Sequence, residues 1–351
     1  MATVDKIKLI CCLVVLAAAN AAMGVSDFAV ELVGYSGSFG PSPYNDPCAV
    51  LGKPATVCKN LYGYGLDPNF RVKLVEPAYY VDLNDKKVIT TLNPGDTITV
   101  KFDHKVVDYP GNLYGIDLIV FGNSWFGGAG NINDNTNMNT YFLTSIDQND
   151  FEKVEVSVSQ DGSTWYSFSN GPWADDLYPT QAYKWDRTNA HWTNKEMDFA
   201  KPVDPNLDYT DFVDISAADA IDLYNGSGGG TGYDLRLLAD YNNLAIDPNT
   251  GYRWIQYVRF TGVAENQGEI DAVSDAAACG DPTHPYPPGD LNKDCRVDLA
   301  DLKILADNWL ASTHNCETYP AGDLNEDCSV DFTDFAILAQ NYLACTYNCD
   351  P

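Results

Sequence analysis

Two periods divide this chain. Between residues 26 and 275 apolar positions recur at every second residue in short runs. Residues 97–102 set Ile98, Val100 and Phe102 against Thr97, Thr99 and Lys101. Residues 153–158 repeat the pattern with Val154, Val156 and Val158, and residues 256–261 with Val258 and Phe260. Such alternation marks strands with one buried face. Residues 118–121 form a continuous apolar run led by Asp117, and 269–273 read as a last short strand. Turn residues at 93–96, 109–112, 161–163 and 247–251 separate the runs. Only 217–223 and 235–241 carry a helical period in this region. Many short strands joined by turns predict a mostly β fold, a β-sandwich.

Past residue 289 the period becomes helical, and one unit is written twice. Residues 289–310 read GDLNKDCRVDLADLKILADNWL and residues 322–343 read GDLNEDCSVDFTDFAILAQNYL, an offset of 33. Each copy opens with hard oxygen donors at the spacing of a 12-residue calcium loop. The first supplies Asp290, Asn292, Asp294, the carbonyl of Arg296, Asp298 and Asp301. The second supplies Asp323, Asn325, Asp327, the carbonyl of Ser329, Asp331 and Asp334. Magnesium demands a tighter octahedron, so Ca2+ is expected, one ion per loop and two in residues 289–343. Behind each loop lies an apolar stripe: Leu299, Leu302, Leu305, Ala306 and Trp309, then Phe332, Phe335, Leu338, Ala339 and Tyr342. Neither stripe is buried by its own helix, so the two are expected to pack together, aromatics included.

This pair resembles a type I dockerin module. The resemblance implies a small α-helical unit with two calcium loops and anchoring through a cohesin-like partner, with an intramolecular partner as the alternative. Asp301 and Asp334 close the loops, as in dockerins. Position 6, a glycine in the family pattern, is Cys295 and Cys328 here. A side chain in the left-handed conformation needs compensation, and a disulfide is expected to supply it. Positions 10 and 11, which carry partner specificity in dockerins, read Leu299–Ala300 and Phe332–Thr333 rather than Ser–Thr.

The larger region carries a patchier resemblance. Residues 154–165, VEVSVSQDGSTW, look like the strand–turn–strand of discoidin-like, galactose-binding-like jelly rolls, and 255–263, IQYVRFTGV, resemble their arginine-containing strand. Residues 111–122 and 269–273 resemble bacterial surface proteins that carry this sandwich ahead of a dockerin-like tail. The resemblance implies a jelly-roll-like sandwich, with Asp161 and Gly162 in the turn and Trp165 packed inward. Residues 168–192 hold Trp173, Tyr178, Tyr183, Trp185 and Trp192 without a strict period. They are read either as a face that stacks on sugar rings or as a loop folded over the sandwich by its own aromatics. A further ion in the β-domain is weighed at residues 131–139, NINDNTNMN, and at Asp117, Glu269 and Asp271.

Lys6, Lys8, the apolar residues 10–19 and the small Ala19 and Ala21 read as a signal peptide over 1–21, cleaved after Ala21, with an uncleaved anchor as the alternative. The domain reading is then a β-sandwich at 26–275, a Pro-rich linker at 276–288 and the calcium module at 289–351. Eight cysteines follow the leader: Cys48, Cys58, Cys279, Cys295, Cys316, Cys328, Cys345 and Cys349. An even number in an exported chain points to disulfides. Cys48 and Cys58 are expected to pair, and the other six leave 15 connectivities open. The formal charge of -28, from 49 acidic and 21 basic residues, excludes nucleic acid as a natural partner.

No G-x-S-x-G elbow occurs, and His104, His191, His284 and His314 form no local pair. His104 reads as a surface residue at a strand end. The sequence therefore points to an extracellular or cell-surface protein, non-catalytic, binding or structural, contacting a polysaccharide or glycoprotein. A secreted glycoside hydrolase is the enzyme alternative, because its two carboxylates need not be neighbours in sequence.

Overall fold

A computed structural model describes residues 25–59, 69–79, 81–82, 89–130, 132–146, 152–263, 267–313 and 318–345. The expected leader lies outside them, as do Cys316 and Cys349. The chain divides into two compact units, with the boundary between Ala276 and Ala277. Residues 277–288 of the Pro-rich stretch read as a linker fall within the second unit.

In chain order, the described strands are β1 (Glu31–Ser36), β2 (Val57–Lys59), β3 (Asn69–Arg71), β4 (Val81–Asp82), β5 (Thr90–Leu92) and β6 (Thr97–Val107). There follow β7 (Leu118–Phe121), β8 (Phe126–Gly128), β9 (Leu143–Ile146), β10 (Val154–Ser159), β11 (Tyr166–Ser167), β12 (Tyr183–Asp186) and β13 (His191–Glu196). The last are β14 (Thr231–Tyr233), β15 (Trp254–Gly262), β16 (Gly268–Ile270) and β17 (Ala272–Asp275). A five-stranded antiparallel sheet runs β1-β6-β15-β10-β11, and a three-stranded one runs β14-β7-β17. Ile98, Val100, Phe102, Val154, Val156, Val158, Val258 and Phe260 of the larger sheet share one core with Leu118, Val120, Tyr233 and Val273 of the smaller.

This is a two-layered β architecture, but not a closed jelly roll. Strands β1 and β11 end the larger sheet, and β16–β5, β3-β2-β4, β8–β9 and β12–β13 form separate small sheets.

The composition of β7 follows from its place. Leu118 and Val120 enter the shared core, whereas Ile119 and Phe121 enter another cluster with Phe70, Val72, Ala272 and Phe199. A strand buried on both faces has no polar side to alternate with. The stretch 269–273, expected as one strand, is two. β16 pairs with β5 and β17 with β7, while Asp271 between them accepts a 2.8 Å hydrogen bond from Ala55 N.

Ala217–Leu223 forms helix α1, with Ser216 as its N-cap accepting from Asp219 N at 3.1 Å. Residues 235–241 do not form a helix. Short 3-10 turns at Leu235–Leu237 and Tyr241–Asn243 instead send Leu235, Leu238 and Leu244 into the shared core.

Trp165 does not pack inward. Phe168 takes the core position after the turn, while Trp165 lies on the opposite face of the sheet beneath the Arg259 guanidinium. The Cys48–Cys58 pairing is also corrected. Cys48 is disulfide-bonded and packs against the core shared by the two main sheets. Cys58 keeps its thiol and points into the cluster around Phe70. The two side chains face different cores.

His104 is buried rather than exposed. Its Nδ1 lies 2.8 Å from Asp103 Oδ1 and its Nε2 2.8 Å from Asp275 Oδ2. Two carboxylates therefore ask both ring nitrogens to donate, which requires the imidazolium. Burial alone would lower the pKa, but the bonds and charges of Asp275, then Asp103, outweigh it and hold the pKa above 6.5. The pair joins β6 of the larger sheet to β17 of the smaller.

A group whose folded pKa is raised stabilises fully below its unfolded pKa and loses that effect as pH rises through the folded value. The β unit should therefore lose stability from about pH 6.5 upward. His104→Gln should cost about 1.5–3 kcal/mol at pH 6, with the difference from wild type shrinking toward pH 9. Thermal melts of both proteins across that range check this. A pH-independent difference would refute the charged bridge.

Candidate metal centre

In the second unit, helix α2 (Leu299–Asp307) and helix α3 (Phe332–Gln340) each follow one acidic loop. The loops at 290–301 and 323–334 have nearly the same backbone. Lys293 and Cys295 have φ of 62° and 64°, and Glu326 and Cys328 have 58° and 74°. The cysteines at position 6 thus occupy the left-handed region. Cys295 is tied to Cys279 in a disulfide, and Cys328 and Cys345 are disulfide-bonded as well.

The carboxylates are held from behind by backbone N–H groups. Asp301 accepts from Leu291 N, Asn292 N and Asp298 N at 2.7, 3.1 and 2.8 Å. Asp334 accepts from Leu324 N, Asn325 N and Asp331 N at 2.7, 3.2 and 2.8 Å. Asp290 accepts from Cys295 N at 2.7 Å and Asp323 from Cys328 N at 2.8 Å. Asp298 and Asp331 are the N-caps of α2 and α3, each completing a capping box with the Asp three residues on. The residue at position 12 therefore both closes the loop and starts the helix.

Oxygens of Asp290, Asp294 and Asp301 lie within 4.8 Å of one another. Burial raises the Asp290 pKa, with backbone bonds opposing it and the Asp301 charge adding to it. Convergent carboxylates and a side-chain amide, without an imidazole or available thiolate, fit a hard divalent cation such as Ca2+. The second loop repeats the same donors and backbone bonds. Asn292, Asn325 and the carbonyls of Arg296 and Ser329 complete the candidate sets.

The loops are braced crosswise. Val297 N donates to Ala344 O and Leu343 N to Val297 O, while Val330 N donates to Ala311 O and Leu310 N to Val330 O. Each loop is thus stitched to the chain leaving the other helix. Gly289 and Gly322, at φ 102° and 100°, allow this closeness. A Cβ there would lie 3.2 Å from the Cα of Leu338 or Leu305.

The core is smaller than the stripes predicted. Val297, Leu305, Val330 and Leu338 are buried, with Leu302 and Trp309 against them. Leu299 and Phe332 are instead 69% and 77% exposed, and Phe335 and Tyr342 also face solvent. A nine-residue helix turns only part of its surface toward a single partner helix.

The residues weighed for a further ion separate in space. Asp117 accepts from Leu235 N and Asn112 Nδ2 at 2.9 Å each, which gives it a structural role. Asp134 pairs with Arg71 and Lys73 at 2.9 and 3.0 Å. Asn139 accepts from Trp185 Nε1 at 2.9 Å, while Asn131 lies outside the described residues.

Glu269 alone of these residues joins a convergent acidic cluster, with Glu152 and Asp175. Burial, then the Glu269 charge, pushes Asp175 well above the carboxylate range. Glu269 is pushed up to about 7 by burial, then by Glu152. Three such carboxyls cannot all ionise unaided, so protons or a cation must balance them. Gly122 is required beside them, because a Cβ there would meet Asp175 Oδ1 at 2.2 Å. Asp175 was missed because nothing local marks it; its partners are far away in sequence.

The five aromatics do not assemble into a flat face. β12 and β13 form a hairpin inside the stretch read as a loop. Trp185 and Trp192 meet edge to face at 4.9 Å. Tyr178 Oη donates toward Asp204 O and Leu207 O at 3.1 and 2.7 Å. Tyr183 lies beneath Arg71 and Trp173 near Lys153. Trp192 is buried in a cluster with Met197, Ile221 and Tyr224, and Tyr178, Tyr183 and Trp185 pack on its edge.

No curated protein matches this chain. The family model for the Dockerin type I domain matches residues 288–344, so the second unit carries a C-terminal type I dockerin domain.

Proposed function

We propose that this is an exported, non-catalytic protein that presents its β-rich unit through a calcium-loaded dockerin module. The observation that carries this reading is the doubled acidic loop within the matched dockerin segment, with its donors held alike in both copies. Dockerin modules pair with cohesin partners. Here the residues at loop position 10 are the large, exposed Leu299 and Phe332. A cohesin-like partner with an apolar docking surface suits them better than one selecting hydroxyls. Attachment of this kind belongs outside the cell, in keeping with the leader read at 1–21 and the signal-free start expected after Ala21.

The hydrolase alternative needs two carboxylates facing a cleft. Among the described residues the convergent carboxylates of the first unit are Glu152, Asp175 and Glu269, and of these Asp175 and Glu269 are buried.

Binding of the full chain to a panel of immobilised cohesin domains tests the proposal. Capture should require calcium. The double change Leu299→Asp and Phe332→Asp should weaken it by about 30-fold or more, as expected for an interface hot spot. Absence of capture by any cohesin in calcium would argue for the intramolecular alternative. Catalytic turnover of a polysaccharide would overturn the non-enzyme reading.

A further inference from the structure

The outer face of the five-stranded sheet holds an arginine with no acidic partner among the described residues. Ile255, Val258 and Phe260 of β15 point into the core, so Trp254, Tyr257 and Arg259 lie on the opposite face. Three cation–ring contacts line it: Lys105 over Trp254 at 4.4 Å, Lys101 over Tyr257 at 5.5 Å and Arg259 over Trp165 at 3.7 Å.

Two of these cations are matched by acids. Lys105 lies 3.1 Å from Asp247, and Lys101 lies 3.7 Å from Glu31. Arg259 makes no ion pair among the described residues, in a chain with 49 acidic and 21 basic residues. Its one side-chain hydrogen bond is from Nε to Thr99 Oγ1, at 3.3 Å. Glu155, which pairs with Thr261 on the adjoining strand, forms no salt bridge with it. Partial burial lowers the guanidinium pKa, and no carboxylate acts to restore it.

This guanidinium is pre-set for an external anion. The Trp165 ring lies against it at 3.7 Å, Thr99 holds Nε, and among the described residues no hydrogen bond takes up the terminal nitrogens. That fork matches a carboxylate in two parallel hydrogen bonds. Tyr257 stands two residues along the same strand and offers ring area beside it. We propose that Arg259, with Trp165 and Tyr257, binds the carboxylate of a uronic-acid residue in an acidic glycan. This goes beyond the attachment role and does not depend on the dockerin domain. The flanking rings favour a sugar over an acidic peptide, because a pyranose ring presents a flat C–H face for stacking. The chain's net negative charge opposes long polyanions, so a short acidic segment or chain end is the expected ligand.

The test is tryptophan fluorescence titration of the full chain at fixed calcium with tri-galacturonate and a glucuronate trimer. Fully methyl-esterified tri-galacturonate and tri-glutamate are the controls. At least one acidic trimer should bind saturably, with the ester and the peptide at least about tenfold weaker. Arg259→Gln should abolish binding and Arg259→Lys weaken it about tenfold, because ammonium lacks the fork. Thermal melts confirm folding, and if Arg259→Gln does not fold, a folded Arg259→Lys protein carries the test, its wild-type binding overturning the proposal. No saturable binding of either acidic trimer overturns the proposal. So does equal binding of acid and ester, equal binding of the peptide, or wild-type binding by a folded Arg259→Gln protein.

Discussion

Stripping calcium from the full chain should unfold the second unit and leave the first melting much as before. The physical case rests on how little else holds that unit together. Val297, Leu305, Val330 and Leu338 are its buried core, each worth about 1.5–3 kcal/mol on burial. A core of four buried side chains is too small to hold a unit of this length without further staples. The disulfide from Cys279 to Cys295 spans 16 residues, and a loop near that length contributes about 3 kcal/mol. Each calcium site held at 1,000 times its Kd adds about 4 kcal/mol. Without the ion, Asp290, Asp294 and Asp301 face one another within 4.8 Å, and their repulsion works against the folded loop.

Asp301→Ala should remove the first ion and Asp334→Ala the second, lowering the bound count from two to one in each case. Each should also cost more than about 3 kcal/mol in calcium, since the same side chain caps a helix and holds three backbone N–H groups. Asp290→Ala and Asp323→Ala should weaken the same two sites selectively. Calorimetric titration counts the ions, and differential scanning calorimetry with and without chelator reads the stability. A melting profile indifferent to chelation would remove calcium from the account.

Trp192→Ala should destabilise the first unit by about 3–5 kcal/mol, as expected for a buried aromatic cut back to a methyl. Its ring closes the cluster beneath the β12–β13 hairpin and is met edge-on by Trp185. Trp192→Phe should cost much less. It keeps most of the ring and removes a buried Nε1–H that has no hydrogen-bond partner, a group worth about 1–3 kcal/mol of penalty. Trp185→Ala should fall between, because it also breaks the bond to Asn139. Urea denaturation of the three variants beside a glycan array separates the two readings of these rings. A wild-type melt combined with lost sugar binding for Trp192→Ala would restore the stacking platform.

What could be read directly from sequence shares one property: its partners are close along the chain. The calcium loops are local, since donors at positions 1, 3, 5, 9 and 12 serve one ion within a dozen residues. The 33-residue offset shows the unit twice. The alternating runs of β6, β10 and β15 were legible because one face of each meets a core, and α1 because its cap and apolar face are contiguous. Tertiary structure decided everything that depends on distant segments. It set Trp165 under Arg259 rather than in the core, because Phe168 already fills that position. It buried His104, because Asp275 arrives from a strand more than 170 residues away. It gathered Glu152, Asp175 and Glu269, and it sent Cys48 and Cys58 into different cores. Hydrophobic period records that a face is buried, but not which layer buries it. Charge count records acids, but not which of them share a site. Those choices belong to the packing of one sheet against another, where contacts between remote residues carry the energy.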